Sequence, residues 1–204
     1  MKIIGISQRI DFLKDRNETR ESLDRKLNEL LIKCNLFPLP IPNIFYNNKN
    51  KDKGFNNLKK WISKKKIKGI ILSGGNDIGI YKDRDYTEYF LIKYAKLKKI
   101  PVLGICRGMQ LIAKSEGVNL KKISNHVNTN HKIYGKISGT VKCFHNFAIK
   151  KCPNKYTILS KSNDNCIMAI QNDNYPIEGW MWHPERNKKF KKIDINNIKR
   201  IFKK

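Results

Sequence analysis

Pro101-Val102-Leu103-Gly104-Ile105-Cys106-Arg107-Gly108-Met109-Gln110 is an apolar run ending on a cysteine that has a glycine two residues to either side. The run reads as a buried strand, and the segment from Met109 to Glu116 reads as a helix. This is the pattern of a nucleophile elbow, a tight strand-to-helix turn that lifts one reactive side chain out of a sheet. Small flanking residues permit the close backbone packing and strain such a turn needs. A sulfur at the start of a helix also sits near unpaired N–H groups and the positive end of the helix dipole, which favour thiolate. A buried structural cysteine beside a turn would produce the same pattern, so the reading depends on a partner.

That partner lies in Gly179-Trp180-Met181-Trp182-His183-Pro184-Glu185-Arg186. A thiolate nucleophile needs a base to move its proton, and the base needs a carboxylate to fix its tautomer and orientation. Proline biases the residue before it toward extended geometry, and residues two apart in an extended segment face the same side. Glu185 can therefore reach His183. A bare His-x-Glu on a loop is ordinarily a solvated surface pair; beside the elbow it predicts a Cys106–His183–Glu185 triad.

The 204 residues suffice for one domain, 1–204, with a full core. The first strand pattern begins at Lys2 with no leader before it, no apolar run reaches the ~20 residues of a membrane span, and the five cysteines lack paired spacing. A reduced, cytoplasmic protein without membrane contact is the expectation. No C-x-x-C or H-x-x-x-H arrangement occurs, so neither a metal nor another cofactor is expected. The net charge of +26 raises nucleic-acid binding as a function. However, the lysines are spread along the chain among many asparagines and isoleucines, as biased codon usage produces. No nucleic-acid motif accompanies them, so the expectation is that nucleic acid is not the partner. Such a field would still attract an anionic substrate.

Strand-like runs at Lys2–Ser7, Ile67–Ser73 and Ile100–Ile105 alternate with helical patterns at Glu18–Lys33, Asn56–Lys65, Asp85–Leu97 and Arg107–Ser115. That alternation predicts an α/β domain with a largely parallel sheet. Asn17 or Thr19 would cap the first helix, and Asn47–Lys53 reads as a loop. Beyond Val118 the runs Ser138–Phe144, Tyr156–Leu159 and Cys166–Gln171 predict antiparallel strands, and Ile193–Phe202 a closing helix.

Gly-Ile-Cys106-Arg-Gly-Met-Gln followed far downstream by Trp-His183-Pro-Glu185 resembles the class I glutamine amidotransferase domain, particularly its gamma-glutamyl hydrolase-like branch. Ser73-Gly74-Gly75-Asn76-Asp77 is similar to the family's glycine-rich oxyanion turn. Arg84, Asp85 and Glu88 match its R-D-x-x-E, and Val141 to Ile149 its V-N-S-x-H-H-Q-A-I. Arg20 and Asp24 resemble its N-terminal R-x-x-x-D helix, and Pro40-Ile41-Pro42-Asn43 its proline-rich second strand. The likeness runs from Met1 to about Arg186. It implies a single flavodoxin-like domain whose mostly parallel central sheet is flanked by helices, with a small antiparallel sheet in the C-terminal half.

For the chemistry, the resemblance implies acyl transfer at a gamma-carboxamide of a small gamma-glutamyl substrate. Backbone N–H groups of Gly75 and Arg107 would form the oxyanion hole. Gly74, Gln110, Phe144, His145 and Asn146 would bind substrate. Read alone, the two glycines would equally make a strand-ending turn, and His145 would equally be a core or surface histidine. Gly-Gly-Asn-Asp-Ile-Gly and Phe-His-Asn-Phe depart from the pattern of hydrolases acting on gamma-glutamyl-aminobutyrate. They look most like hydrolases of capsule phosphoramidate synthesis, which implies gamma-glutamyl-CDP-amidate as substrate, with glutamate and cytidine diphosphoramidate released. Arg9, Arg84 and Arg107 would then be candidate phosphate partners or structural ion-pair residues. Two other readings stay open: a glutaminase chain passing ammonia to a separate synthetase, and a silent binding module.

Overall fold

The computed structural model describes residues 1–46 and 49–203. In chain order its elements are β1 (Lys2–Ser7), β2 (Arg9–Leu13), β3 (Glu18–Ser22), α1 (Arg25–Lys33), β4 (Leu36–Ile41), α2 (Lys51–Lys64), β5 (Gly69–Leu72), α3 (Lys82–Lys98), β6 (Val102–Ile105) and α4 (Arg107–Ser115). The C-terminal half adds β7 (Leu120–Lys122), β8 (Val127–Gly135), β9 (Gly139–Phe144), β10 (Phe147–Ile149), β11 (Tyr156–Ser162), β12 (Ile167–Asn172), β13 (Ile177–Trp180) and α5 (Lys192–Phe202).

Among the described residues nine strands form one sheet in the order β4-β1-β5-β6-β13-β12-β11-β8-β9. From β4 to β13 the neighbours are parallel; from β13 to β9 they are antiparallel. The antiparallel strands thus extend the parallel sheet, and two-stranded pairs β2–β3 and β7–β10 lie apart from it. Strands β5, β6 and β13 are buried along their whole length, as helix-covered parallel strands must be. Their apolar side chains join those of α1 to α5 in one core. No helix among the described residues is long and apolar enough to cross a membrane.

The first helix is shorter than its periodicity predicts. Glu18–Ser22 pairs with Arg9–Leu13 as a hairpin instead, so Arg20 lies in a strand and neither Asn17 nor Thr19 caps α1. The helix starts after Asp24, whose side chain accepts the N–H of Lys26. Its buried stripe is Leu27, Leu30 and Leu31, whereas no residue of Glu18–Ser22 is buried. Without an apolar face to pack, that stretch has little to hold it helical. Downstream, α2 begins inside the expected loop because Asn50 caps it by accepting the N–H of Lys53. Asn47 and Asn48 lie outside the described residues.

Candidate active site

Parallel pairing puts the C-terminal ends of β5, β6 and β13 side by side. In open α/β sheets that end is where ligands bind. Here the three ends carry Ser73-Gly74-Gly75, Cys106 and, three residues beyond β13, His183.

Cys106 joins β6 to α4 with φ 52° and ψ −106°, a conformation costly for a residue with a side chain. Its N–H donates to the Trp180 carbonyl at 2.7 Å, locking the elbow to β13. The flanking glycines are required by contact. A β-carbon on Gly104 would lie 2.6 Å from the Gly108 carbonyl carbon, and one on Gly108 would lie 2.2 Å from the Leu72 carbonyl oxygen. The strained turn therefore presses against the neighbouring strand.

His183 and Glu185 are both buried, and Nδ1–H of His183 donates to Oε1 of Glu185 at 2.6 Å. The same imidazole also interacts electrostatically with Cys106. Burial alone would depress the ring's pKa. Its interactions with Cys106 and Glu185 outweigh burial and raise it to about 9. Of the three residues expected of a triad, His183 and Glu185 are thus hydrogen-bonded, and Cys106 interacts with the same ring. Gly74 has a role that the sequence did not suggest, since a β-carbon there would stand 2.5 Å from Cε1 of His183.

Gly75 has φ 99°, which suits glycine. Arg84 donates to the Gly74 carbonyl at 2.9 Å and to the Ser73 carbonyl at 2.9 Å. In a trans peptide C=O and N–H point opposite ways, so this grip turns the Gly75 N–H away from Arg84. Arg107 supplies the first N–H of α4, which has no partner within the helix. Its guanidinium points elsewhere, pairing with Asp85 and Glu88 in a buried network. Glu88 also pairs with Arg84 at 3.3 Å and accepts from Ser7 at 2.6 Å. Burial pushes the Glu88 carboxyl up, but the two guanidiniums more than reverse that and leave it below its ordinary value. Burial lowers Arg84 to about 10. Both arginines are structural ion-pair residues; of the three phosphate candidates only Arg9 lines the cavity at the site.

That cavity, roughly 310 Å³, is walled by Gly74, Gly75, His183 and Glu185 and, as a second wall, by Arg9, Asp11, Ser22 and Asp24, with Arg186 beside them. The second wall belongs to the β2–β3 hairpin and the cap of α1. Of this wall the sequence pointed to Arg9 and, through the N-terminal R-x-x-x-D motif, to Asp24; Asp11, two residues from Arg9 and ion-paired with it at 2.6 Å, was missed.

Cys106 is only 6% exposed and, like Gln110, His145 and Asn146, lies off that wall. Gln110 donates to the Phe147 carbonyl at 2.9 Å. His145 donates from Nδ1 to the same carbonyl at 2.9 Å, and its buried Nε2 has no hydrogen-bond partner among the described residues. Burial lowers His145 to about 4, so its ring is neutral. Asn146 is exposed. Phe144 meets the His183 ring edge-on at 6.0 Å, with the Arg186 guanidinium 4.5 Å from its centroid.

The family profile Glutamine amidotransferase class-I matches residues 13–199. The chain is 34% identical over 202 residues to the gamma-glutamyl-CDP-amidate hydrolase of Campylobacter jejuni, covering 94% of each chain. It is 33% identical over 135 residues to the glutamine-hydrolyzing GMP synthase of Petrotoga mobilis, a match spanning 61% of this chain and 26% of that one. Among solved structures, a Thermoplasma acidophilum protein provisionally described as one chain of a GMP synthase superposes with a TM-score of 0.72 at 20% identity. That alignment covers 100% of this chain and 93% of the other.

Proposed function

Because the chain belongs to the class I glutamine amidotransferase family, and is on that ground a hydrolase of amide C–N bonds, we propose that it is a cysteine-dependent gamma-glutamyl hydrolase acting on gamma-glutamyl-CDP-amidate. The near full-length likeness to the Campylobacter jejuni enzyme carries this reading. The field of a chain with net charge +26, and the presence of Arg9 and Arg186 at the cavity, suit an anionic nucleotide leaving group. Its five unpaired cysteines suit a reducing cytoplasm.

In this mechanism Cys106 gives its thiol proton to His183, and the thiolate attacks the gamma-carbonyl while the Gly75 and Arg107 N–H groups receive the oxyanion. Each such donor is worth roughly 3–4 kcal/mol in hydrolases where one has been removed. Protonated His183 gives its proton to the leaving nitrogen, so cytidine diphosphoramidate departs and a glutamyl thioester remains. His183, now neutral and oriented by Glu185, takes a proton from water. The resulting hydroxide displaces the sulfur and releases glutamate. Gln110, Phe144, His145 and Asn146 serve the glutamyl group.

The likeness to a GMP synthase favours a second reading, a glutaminase that feeds ammonia to a separate synthetase. Glutamate release from gamma-glutamyl-CDP-amidate, gamma-glutamyl-aminobutyrate and glutamine separates the two. The proposal expects the nucleotide substrate to lead, with kcat/KM falling as salt is raised. Preference for glutamine, appearing only when a synthetase is added, would replace it with the second reading.

A further inference from the structure

Two histidines that the hydrolytic reading leaves unused, His126 and His131, meet a buried cysteine where β8 pairs with β9. Cys143 lies opposite Thr129 in the ladder. His131, two residues on from Thr129, shares its face and is a diagonal neighbour of the thiol. The register shifts between Val127 and Thr129, with Asn128 at φ 56°. A bulge of this kind bends the strand and re-aims its side chains. Just before it, the His126 ring stacks on His131 with centroids 3.9 Å apart. One ligand atom from each of His126, His131 and Cys143 lies within 4.8 Å of the other two. His126 is 1% exposed and Cys143 is fully buried.

The surrounding hydrogen bonds leave both rings with a lone pair to offer. Nε2 of His126 meets the Asp164 carboxylate at 2.7 Å, and Ser162 holds that carboxylate at 2.5 Å. The carboxylate fixes the ring proton on Nε2, so Nδ1 is an acceptor, yet this buried atom has no hydrogen-bond partner among the described residues. Nε2–H of His131 donates to the Asn125 carbonyl at 2.9 Å, which likewise leaves a lone pair on Nδ1.

We propose that Nδ1 of His126, Nδ1 of His131 and Sγ of Cys143 form a site for a thiophilic divalent cation of the zinc class. One thiolate and two imidazoles are a donor set for tetrahedral zinc, with water as the fourth ligand. A carboxylate behind a ligating histidine, as Asp164 stands behind His126, is the usual outer support of such a site. Binding releases the Cys143 thiol proton to solvent. Zinc–nitrogen and zinc–sulfur bonds imply ligand separations of roughly 3.3–3.6 Å. The cluster must therefore close by about 1 Å, and the two rings must rotate out of their stack. Linear spacing conceals this site because its ligands come from two strands and the start of a bulge. It also adjoins the candidate active site, since Phe144, the next residue after Cys143, packs against His183.

The test is a Co2+ titration of chelator-stripped protein carrying Cys106→Ser, which removes the other candidate thiolate. One equivalent should bind with the visible bands of tetrahedral cobalt and a thiolate-to-cobalt charge-transfer band, and Zn2+ should abolish both. Asp164→Asn in that background should weaken binding about 10- to 100-fold. Cys143→Ser should remove the charge-transfer band. His131→Ala, at a partly exposed strand position, should weaken uptake and serves if Cys143→Ser does not fold. No stoichiometric uptake, uptake only when Cys106 is present, or a spectrum unchanged by these substitutions would overturn the proposal.

Discussion

A side chain at residue 74 and the imidazole of His183 cannot share the space they face: a β-carbon on Gly74 would stand 2.5 Å from Cε1 of the ring. The ring has little freedom to yield, because Glu185 holds its Nδ1 at 2.6 Å. Gly74 thus leaves room for the ring that the proposed mechanism uses as its base. Displacing a catalytic group by about 1 Å can cost 10²-fold in rate. Gly74→Ala should therefore lower kcat/KM for glutamate release by about 100-fold, with a much smaller change in melting temperature. Unchanged kinetics would show that the ring position does not matter.

The protonation of His183 should be visible in pH profiles. Its folded-state pKa, about 9, lies above the ordinary histidine value of 6.5. The stabilisation from the charged ring is therefore complete below about 6.5 and is lost as pH rises through about 9. If protonated His183 supplies the leaving-group proton, kcat/KM should fall above about pH 9. The stability gap between wild type and His183→Gln should narrow over the same window.

Glu185→Gln keeps the shape of the carboxylate but removes the charge that holds the imidazolium. Loss of the corresponding carboxylate in serine hydrolases costs about 10⁴ in kcat. A loss of about 10³–10⁴ is expected here, and the alkaline limb of the pH profile should move to lower pH. A full-rate Glu185→Gln enzyme would exclude this carboxylate from the mechanism.

Glu88 is a test of architecture. It is the carboxylate shared by Arg84, which grips the glycine turn, and Arg107, which opens α4. Removing one partner of a buried ion pair costs about 3–5 kcal/mol because a charge is left uncompensated. Glu88→Ala should lose that much in urea unfolding.

The turn at Cys106 and the His183–Glu185 pair were legible because their signals are local or chemical: two glycines around a cysteine, and a histidine and glutamate two apart across a proline. Helix α4 begins and ends where its pattern predicts, and Ile198, Ile201 and Phe202 line the buried side of α5. The hairpin in the second wall of the cavity was hidden because Glu18–Ser22 offers a plausible helical window, and only pairing with Arg9–Leu13 makes it a strand. Strand β8 was missed for a related reason. Its exposed, polar sequence carries no core pattern, and its place depends on β9 and β11 beside it. The same dependence on register hid the His126–His131–Cys143 cluster.

The central claim is that the glutamyl group passes through the sulfur of Cys106, and rapid quenching during turnover of gamma-glutamyl-CDP-amidate tests it most directly. Peptide mapping by mass spectrometry should find one glutamyl adduct, on the peptide containing Cys106, and Cys106→Ala should show neither adduct nor glutamate release. Glutamate release that persists in Cys106→Ala, or an adduct on another residue, would contradict the account.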